Sequence, residues 1–512
     1  MLRYIHPVLK LPHWQVAHRL LVLAALLILS GCAAQTHRSA MEEFSDAWLV
    51  GDFRSAGLGG RQPEAITDRD IQRMDLLQLL HTGEALRLAG EHELALSLFD
   101  QTEHTFSRFD EQNIAGRAAG QIGAILVNES VRAYRGNLYE AILVNTYKGL
   151  MFLEQGQPDL ARVEFNRADD RTRRAVEFFA EQIAAELEAL EQEQDRNAQA
   201  VSATMADNNT QSIVHEAVGN PSQWSVYPEF INPFVTYVHG LFFLAQAADD
   251  VERARQSFDR VAGMTGNGFV EADLALAEGL ASGSLRRGDL PPMVWVVFEN
   301  GNGPTLSEVR LDLPIWLYTQ GRPNRPTLAS IALPRVENGR PSVRQLMIHS
   351  PFSEDEDTVL RAEQLADMHR VVNTEFQHGF NGILTRALAS AIVNLALQAE
   401  LSDRAGLLGA FAATAFTAST THADLRIWRA LPAEWQLARF ERPESGVIRL
   451  TSELNRELAN LSLPEWPFTL VYVKQTGPTA PPAVRIIDLT GRNLAIVPEP
   501  LLQLAAQSEY SK

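Results

Sequence analysis

Residues 149–165 read Gly149-Leu150-Met151-Phe152-Leu153-Glu154-Gln155-Gly156-Gln157-Pro158-Asp159-Leu160-Ala161-Arg162-Val163-Glu164-Phe165. Two apolar runs at helical spacing flank a break around Gly156 and Pro158. Small Gly149 and Ala161 fall where two antiparallel helices would approach each other. Large Phe152 and Phe165 would fill the space between them, and the turn glycine lets the chain reverse. The pattern predicts a helix–turn–helix. Counted from the first glycine, positions 0, 3, 7, 12 and 16 hold Gly149, Phe152, Gly156, Ala161 and Phe165, and Ala168 follows at 19. The same positions upstream hold Gly83, Leu86, Gly90, Ala95 and Phe99. A third stretch, Gly240–Val261, places Phe243, Ala254 and Phe258 with about two extra residues in its turn.

This spacing resembles the tetratricopeptide (TPR) repeat, whose concave surfaces bind peptides. Residues 41–285 as a whole are expected to form a mainly α-helical, TPR-like domain. Between the first two repeats lies a further helical stretch with Tyr134, Gly136, Tyr139, Glu140 and Ala141, and partial repeat-like helices surround Trp48–Ala56. Tyr139, Asn145, Tyr147 and Lys148 are candidate partner-binding residues, the alternative being that the tyrosines are core. Arg171–Ser202 reads as one long helix, either packed on the repeats or projecting as a short coiled-coil arm. Met205–Ser222, with Asn-Asn-Thr and Gly-Asn-Pro, reads as a loop.

At Leu290-Pro291-Pro292 the character changes, and residues 290–512 are expected to form an α+β domain. Strands are expected at Met293–Phe298, Leu306–Leu313, Thr327–Leu333, Val343–Ile348, Val447–Leu450, Phe468–Lys474 and Val484–Leu489. Helices are expected at Ser353–Glu375, Gly382–Glu400 and Arg404–Ala418, with a helical hairpin embedded at 382–420. The acidic run Glu354–Asp357 follows Ser353. It lacks the glycine and glutamate of a calcium loop, so it reads as a helix start. Ala405–Ala423 carries no charge and reads as a buried hairpin or as an element facing a membrane or partner.

The 512 residues carry 45 basic and 63 acidic side chains, a net charge of −18. That balance argues against a general nucleic-acid binder, which displaces counterions with basic surface, and against electrostatic adhesion to anionic lipid. Residues 1–31 hold Arg3, Lys10 and Arg19, no acid, and the apolar run Leu20–Leu29. This is the pattern of a secretory signal, too short for a spanning helix. The junction Leu29-Ser30-Gly31-Cys32 resembles the lipobox of bacterial lipoproteins. The resemblance implies an S-diacylglycerol and N-acyl modification of Cys32, the only cysteine, after cleavage before it. Residues 32–40 would then be a lipidated tether, and the mature chain would carry −21. Alanine at 33 implies, by the same resemblance, the outer membrane.

No nucleophile motif, phosphate cradle or metal signature stands out. His369 and His378 lack same-face spacing, and the pairs Gly266/Gly268 and Gly301/Gly303 read as turns. No catalytic, cofactor or metal residue is assigned. The mature chain resembles a family of bacterial outer-membrane lipoproteins with TPR-like repeats. The resemblance is carried by Tyr134-x-Gly136-x-x-Tyr139-Glu140, Asn145-Thr146-Tyr147-Lys148-Gly149-Leu150, Ala161-Arg162-Val163-Glu164 and Ala423-Asp424-Leu425-Arg426-x-Trp428-x-x-Leu431-Pro432-Ala433. It implies a non-enzymatic scaffold or assembly factor on the periplasmic face of the outer membrane. Such a protein would bind envelope proteins through its helical half and no nucleic acid. The alternative is an envelope hydrolase or a secretion or transport component with its site in the second half.

Overall fold

Helix α4 (Leu76–Ala89) starts where Asp75 and Gln78 exchange cap hydrogen bonds, and it stops at Gly90, whose φ of 83° only glycine adopts readily. The chain returns as α5 (His92–Ala118). A Cβ on Gly83 would lie 2.7 Å from the Phe99 ring, so the glycine is the groove into which the phenylalanine packs. The same contact recurs between α6 (Leu138–Glu154) and α7 (Pro158–Gln192), where Gly149 meets Phe165 at 2.7 Å. It recurs again between α10 (Pro233–Ala245) and α11 (Val251–Thr265), where Gly240 meets Phe258 at 2.7 Å. Three separate hairpins thus share one packing device, even where the third turn is longer. The remaining helices of this half are α1 (42–49), α2 (Phe53–Leu58), α3 (Asp68–Arg73), α8 (Arg196–Ala206), α9 (Asn208–Val218) and α12 (Gly268–Ser282). The computed structural model describes residues 42–118, 134–192, 196–315, 318–319, 322–323, 326–353, 356–392, 395 and 422–498.

Beyond Gly283 the chain turns to strands. Strand β1 (Met293–Asn300) is buried along its whole length and is the centre of a five-stranded sheet. It runs parallel to β12 (Phe468–Gln475) and antiparallel to β9 (Glu434–Glu441). Strands β13 (Ala483–Asp488) and β8 (Glu363–Asp367) close the edges. Alternation along β1 explains its continuous apolar run. Met293, Trp295 and Val297 join the core of the helical hairpins, whereas Val294, Val296 and Phe298 face a second, four-stranded sheet. That sheet is ordered β11 (Glu457–Ser462), β10 (Val447–Ser452), β6 (Leu346–Ser353), β7 (Glu356–Arg361). The layers are therefore helices, five strands, four strands. Each large apolar side chain buried between them contributes about 1.5–3 kcal/mol relative to exposure.

A separate cluster forms around the long antiparallel ribbon of β2 (Thr305–Ile315) and β5 (Thr327–Glu337). Two short strands, β3 (Tyr318–Thr319) and β4 (Arg322–Pro323), pair near its tip. Leu313, Ile315, Ile331 and Leu333 pack there on α8, α9 and helix α13 (368–392).

Several segments differ from the sequence reading. Glu356 and Asp357 of the acidic run do not open a helix: they lie on β7, which pairs antiparallel with β6, and the helix begins at 368; Glu354 and Asp355 lie outside the described residues. The two helices expected at 353–375 and 382–400 are one over the described residues. Phe376, Phe380, Leu384, Leu388 and Ile392 make an unbroken stripe across Gly379 and Gly382. Residues 208–218 are helical, because Asp207 caps Thr210 N–H at 2.9 Å and Val214 and Val218 reach the ribbon core. Strands β7, β8, β9 and β11 escaped notice because charged and polar residues interrupt them. The long helix expected at 171–202 starts earlier, at Pro158, and its arm-like part falls on side chains outside the described residues. Also outside lie residues 1–41, the charge-free stretch up to 421, and 499–512. The change near 285–290 marks the passage from helix to strand, and one hydrophobic cluster runs across it.

Candidate functional site: a charge cluster between helices and sheet

Glu299 ends the helix-facing stripe of β1. Its neighbours in register are Lys474 on β12 and Trp435 on β9, so acid, base and indole form a row across three strands. Above them α4 presents Glu84 and Arg87, one helical turn apart. Arg87 donates to both Glu84 oxygens at 2.8 Å. Its Nη2 lies 3.5 Å from Glu299 Oε2, and Lys474 Nζ lies 3.4 Å from the same oxygen. Tyr147 OH and Trp435 Nε1 both donate to Glu299 Oε1, at 2.6 Å and 3.0 Å. The Arg87 guanidinium sits 4.3 Å from the Tyr147 ring centre, and Lys474 Nζ also donates to Ala430 O at 3.1 Å. All four charged side chains are at most 2% exposed.

Two carboxylates and two cations balance here without water-exposed charge. Burial alone would raise Glu299, but Lys474 and Arg87 outweigh it and hold its carboxyl below the usual range. Burial lowers Lys474, only partly offset by Glu299 and Glu84. It lifts Glu84 despite Arg87. Arg87 moves upward, because Glu84 overcomes the effect of burial. The sequence holds only four lysines, Lys10, Lys148, Lys474 and Lys512, so two of them are fully internal.

The four expected partner residues all lie on α6. Tyr139, Asn145, Tyr147 and Lys148 are 6%, 0%, 0% and 2% exposed. Helix α6 is packed by α5, α7, α10 and β13, so its polar side chains turn inward with its apolar ones. Tyr147 belongs to the cluster above. Lys148 bridges Asp100, Glu103 and Glu164, and Asn145 Nδ2 donates to Glu103 at 2.8 Å and Glu164 at 2.6 Å. Tyr139 OH accepts from Asn137 Nδ2 at 3.2 Å, and its backbone N–H donates to Glu375 at 3.2 Å. None of the four lies on the described surface.

Sequence reasoning missed Glu84, Arg87, Glu299 and Lys474. A signal was there: two long apolar runs, 293–298 and 468–473, each end in a charge, and the signs are opposite. Elsewhere, Asp273 on α12 accepts from Tyr237 OH, from Trp295 Nε1 at 3.0 Å and from Arg439 at 2.7 Å, joining α10, α12, β1 and β9. Burial raises it to about 6. Glu140 accepts from Tyr134 OH at 2.7 Å and Trp428 N–H at 3.0 Å. Asp273 thus holds helices onto strands, and Glu140 ties α6 to the segment that leads into β9. Of the glycine pairs, Gly301 makes a tight turn, with a Cβ reaching within 2.0 Å of Arg340 O, and Gly266 ends α11 in the left-handed conformation. Among the described residues, no three His, Cys, Asp or Glu side chains group to hold a metal ion, and no helix is long and apolar enough to cross a membrane. Set against family models, characterised proteins and solved structures, the chain matches none.

Proposed function

We propose that the protein is a lipoprotein held by Cys32 on the periplasmic face of the outer membrane, where it acts as a non-enzymatic scaffold or assembly factor. The observation that carries the reading is the tetrad Leu29-Ser30-Gly31-Cys32, placed where the apolar run of a signal ends. Several acyl chains at one residue make anchoring effectively permanent, since each buried methylene contributes about 0.8 kcal/mol. The helical half is read as TPR-like, with envelope proteins as its partners. The Gly/Phe packing of three hairpins supports that reading. The partner surface is assigned to outward faces of the hairpins rather than to Tyr139, Asn145, Tyr147 and Lys148.

The anchor is tested by growing cells with a labelled fatty acid. Wild-type protein should carry label, and Cys32→Ser should carry none and accumulate as precursor. Label on Cys32→Ser would refute the anchor. The scaffold role is tested by crosslinking in intact cells and mass spectrometry of what is recovered with the lipidated protein. Recovery of no specific envelope protein would refute it.

A further inference from the structure

The anchor does not lead into a loose end. Ten residues separate Cys32 from helix α1 inclusive of the cysteine, a reach of at most about 35 Å. Helix α1 is then locked between the two halves of the molecule. Trp48, 3% exposed, donates from Nε1 to Asn302 Oδ1 at 2.9 Å, and its carbonyl accepts from Thr476 Oγ1 at 2.8 Å. Its ring packs edge-on against Phe53 and lies 5.5 Å from Lys474 Nζ. Phe44 stacks on Trp48 and meets His81 of α4 edge-on.

The residues just after this lock, which follow the tether most closely in the chain, are apolar and open to solvent. Leu49 and Val50 are 51% and 63% exposed. They lie against the loop after β12: a Cβ on Gly477 would lie 2.8 Å from Leu49 O, and one on Gly51 would lie 3.1 Å from Pro481. Pro478 and Pro481 are exposed beside them. Neither 49–51 nor 477–483 contains a charged residue. We infer that this edge, formed by Leu49, Val50, Pro478 and Pro481, rests on the lipid surface that carries the anchor. The inference rests on the anchor reading above. Glu42, Glu43 and Asp46 on α1 are exposed nearby, so the contact is apolar rather than electrostatic. It occurs on uncharged bilayers and resists salt. Because α1 is fixed to both halves, this contact also sets which face of the whole body looks at the membrane.

The chain is suited to a direct test, because its one cysteine is acylated and an introduced cysteine is the only free thiol. Lipidated Val50→Cys protein is labelled with an environment-sensitive fluorophore and placed in phosphatidylcholine vesicles containing nitroxide-labelled lipid. Leu454→Cys, in the exposed turn between β10 and β11, is the comparison. The expected result is blue-shifted emission at 50, quenched several-fold more than at 454 and unchanged by salt. Equal, weak quenching at both positions in protein that floats with the vesicles overturns the contact and leaves the anchor standing. Protein without lipid that does not float overturns the anchor and the contact together. A blue shift without vesicles that grows with protein concentration assigns the edge to a second copy and also overturns the lipid contact.

Discussion

Replacing Glu299 with glutamine keeps the acceptor for Tyr147 and Trp435 but removes the negative charge that Lys474 and Arg87 face. At 3.4 Å and an effective dielectric of about 20, the Glu299–Lys474 attraction is about 5 kcal/mol. Most of that offsets the cost of taking both ions out of water. In Glu299→Gln the ammonium of Lys474 stays buried with its main partner gone, so the loss should be about 3–5 kcal/mol. Lys474→Met should cost a similar amount, because it leaves Glu299 facing only Arg87, which Glu84 already engages. The double variant removes both charges and should lose far less than the sum, giving a coupling of at least about 2 kcal/mol. The measurement is urea unfolding of the lipid-free chain from residue 33 onward, followed by tryptophan fluorescence. Trp435 and Trp48 sit against the cluster and report on it directly. A cost below about 1 kcal/mol for Glu299→Gln, or losses that add within about 0.5 kcal/mol, would show that the cluster does not hold the helices to the sheet.

Two other outcomes are expected from the same assay. Gly149→Ala should destabilise by about 1–3 kcal/mol, because its methyl would enter the Phe165 ring at 2.7 Å; Phe165→Leu in the same chain should recover part of the loss, and a neutral Gly149→Ala would contradict the close approach. Glu154, which burial lifts to about 7 despite Arg485 and Arg87, takes up a proton on folding, so its contribution is present below its unfolded value of 4.5 and is lost as pH rises through 7. Between those values wild type should lose about 3 kcal/mol relative to Glu154→Gln, and parallel pH profiles for the two proteins would refute the assignment.

The local rules were readable where one interaction dominates. Gly149 and Phe165 are placed by steric necessity, since only a missing side chain admits the ring, and the same logic marks Gly83 and Phe99. The buried strands β1 and β12 announce themselves as apolar runs. Reading failed where two partners far apart in sequence share the burial. Glu356–Arg361 looks like a helix start until β6 offers it a hydrogen-bonding edge. Residues 208–218 look like a loop until the ribbon supplies an apolar surface for Val214 and Val218.

Taken alone, the sequence supplied the resemblance on which the proposed address label at Cys32 rests, and it determined the helical character of residues 41–285 and the switch to strands after Leu290. These follow from periodicity, glycine placement and a short apolar run, which are local properties. Only the tertiary structure decided that Tyr139, Asn145, Tyr147 and Lys148 are interior. The reason is that α6 is covered on every side, so polarity there reports on partners within the fold rather than on solvent. It also decided that Glu84, Arg87, Glu299 and Lys474 meet. Their mutual neutralisation depends on β1 lying between β9 and β12 and under α4, and no single segment contains that information.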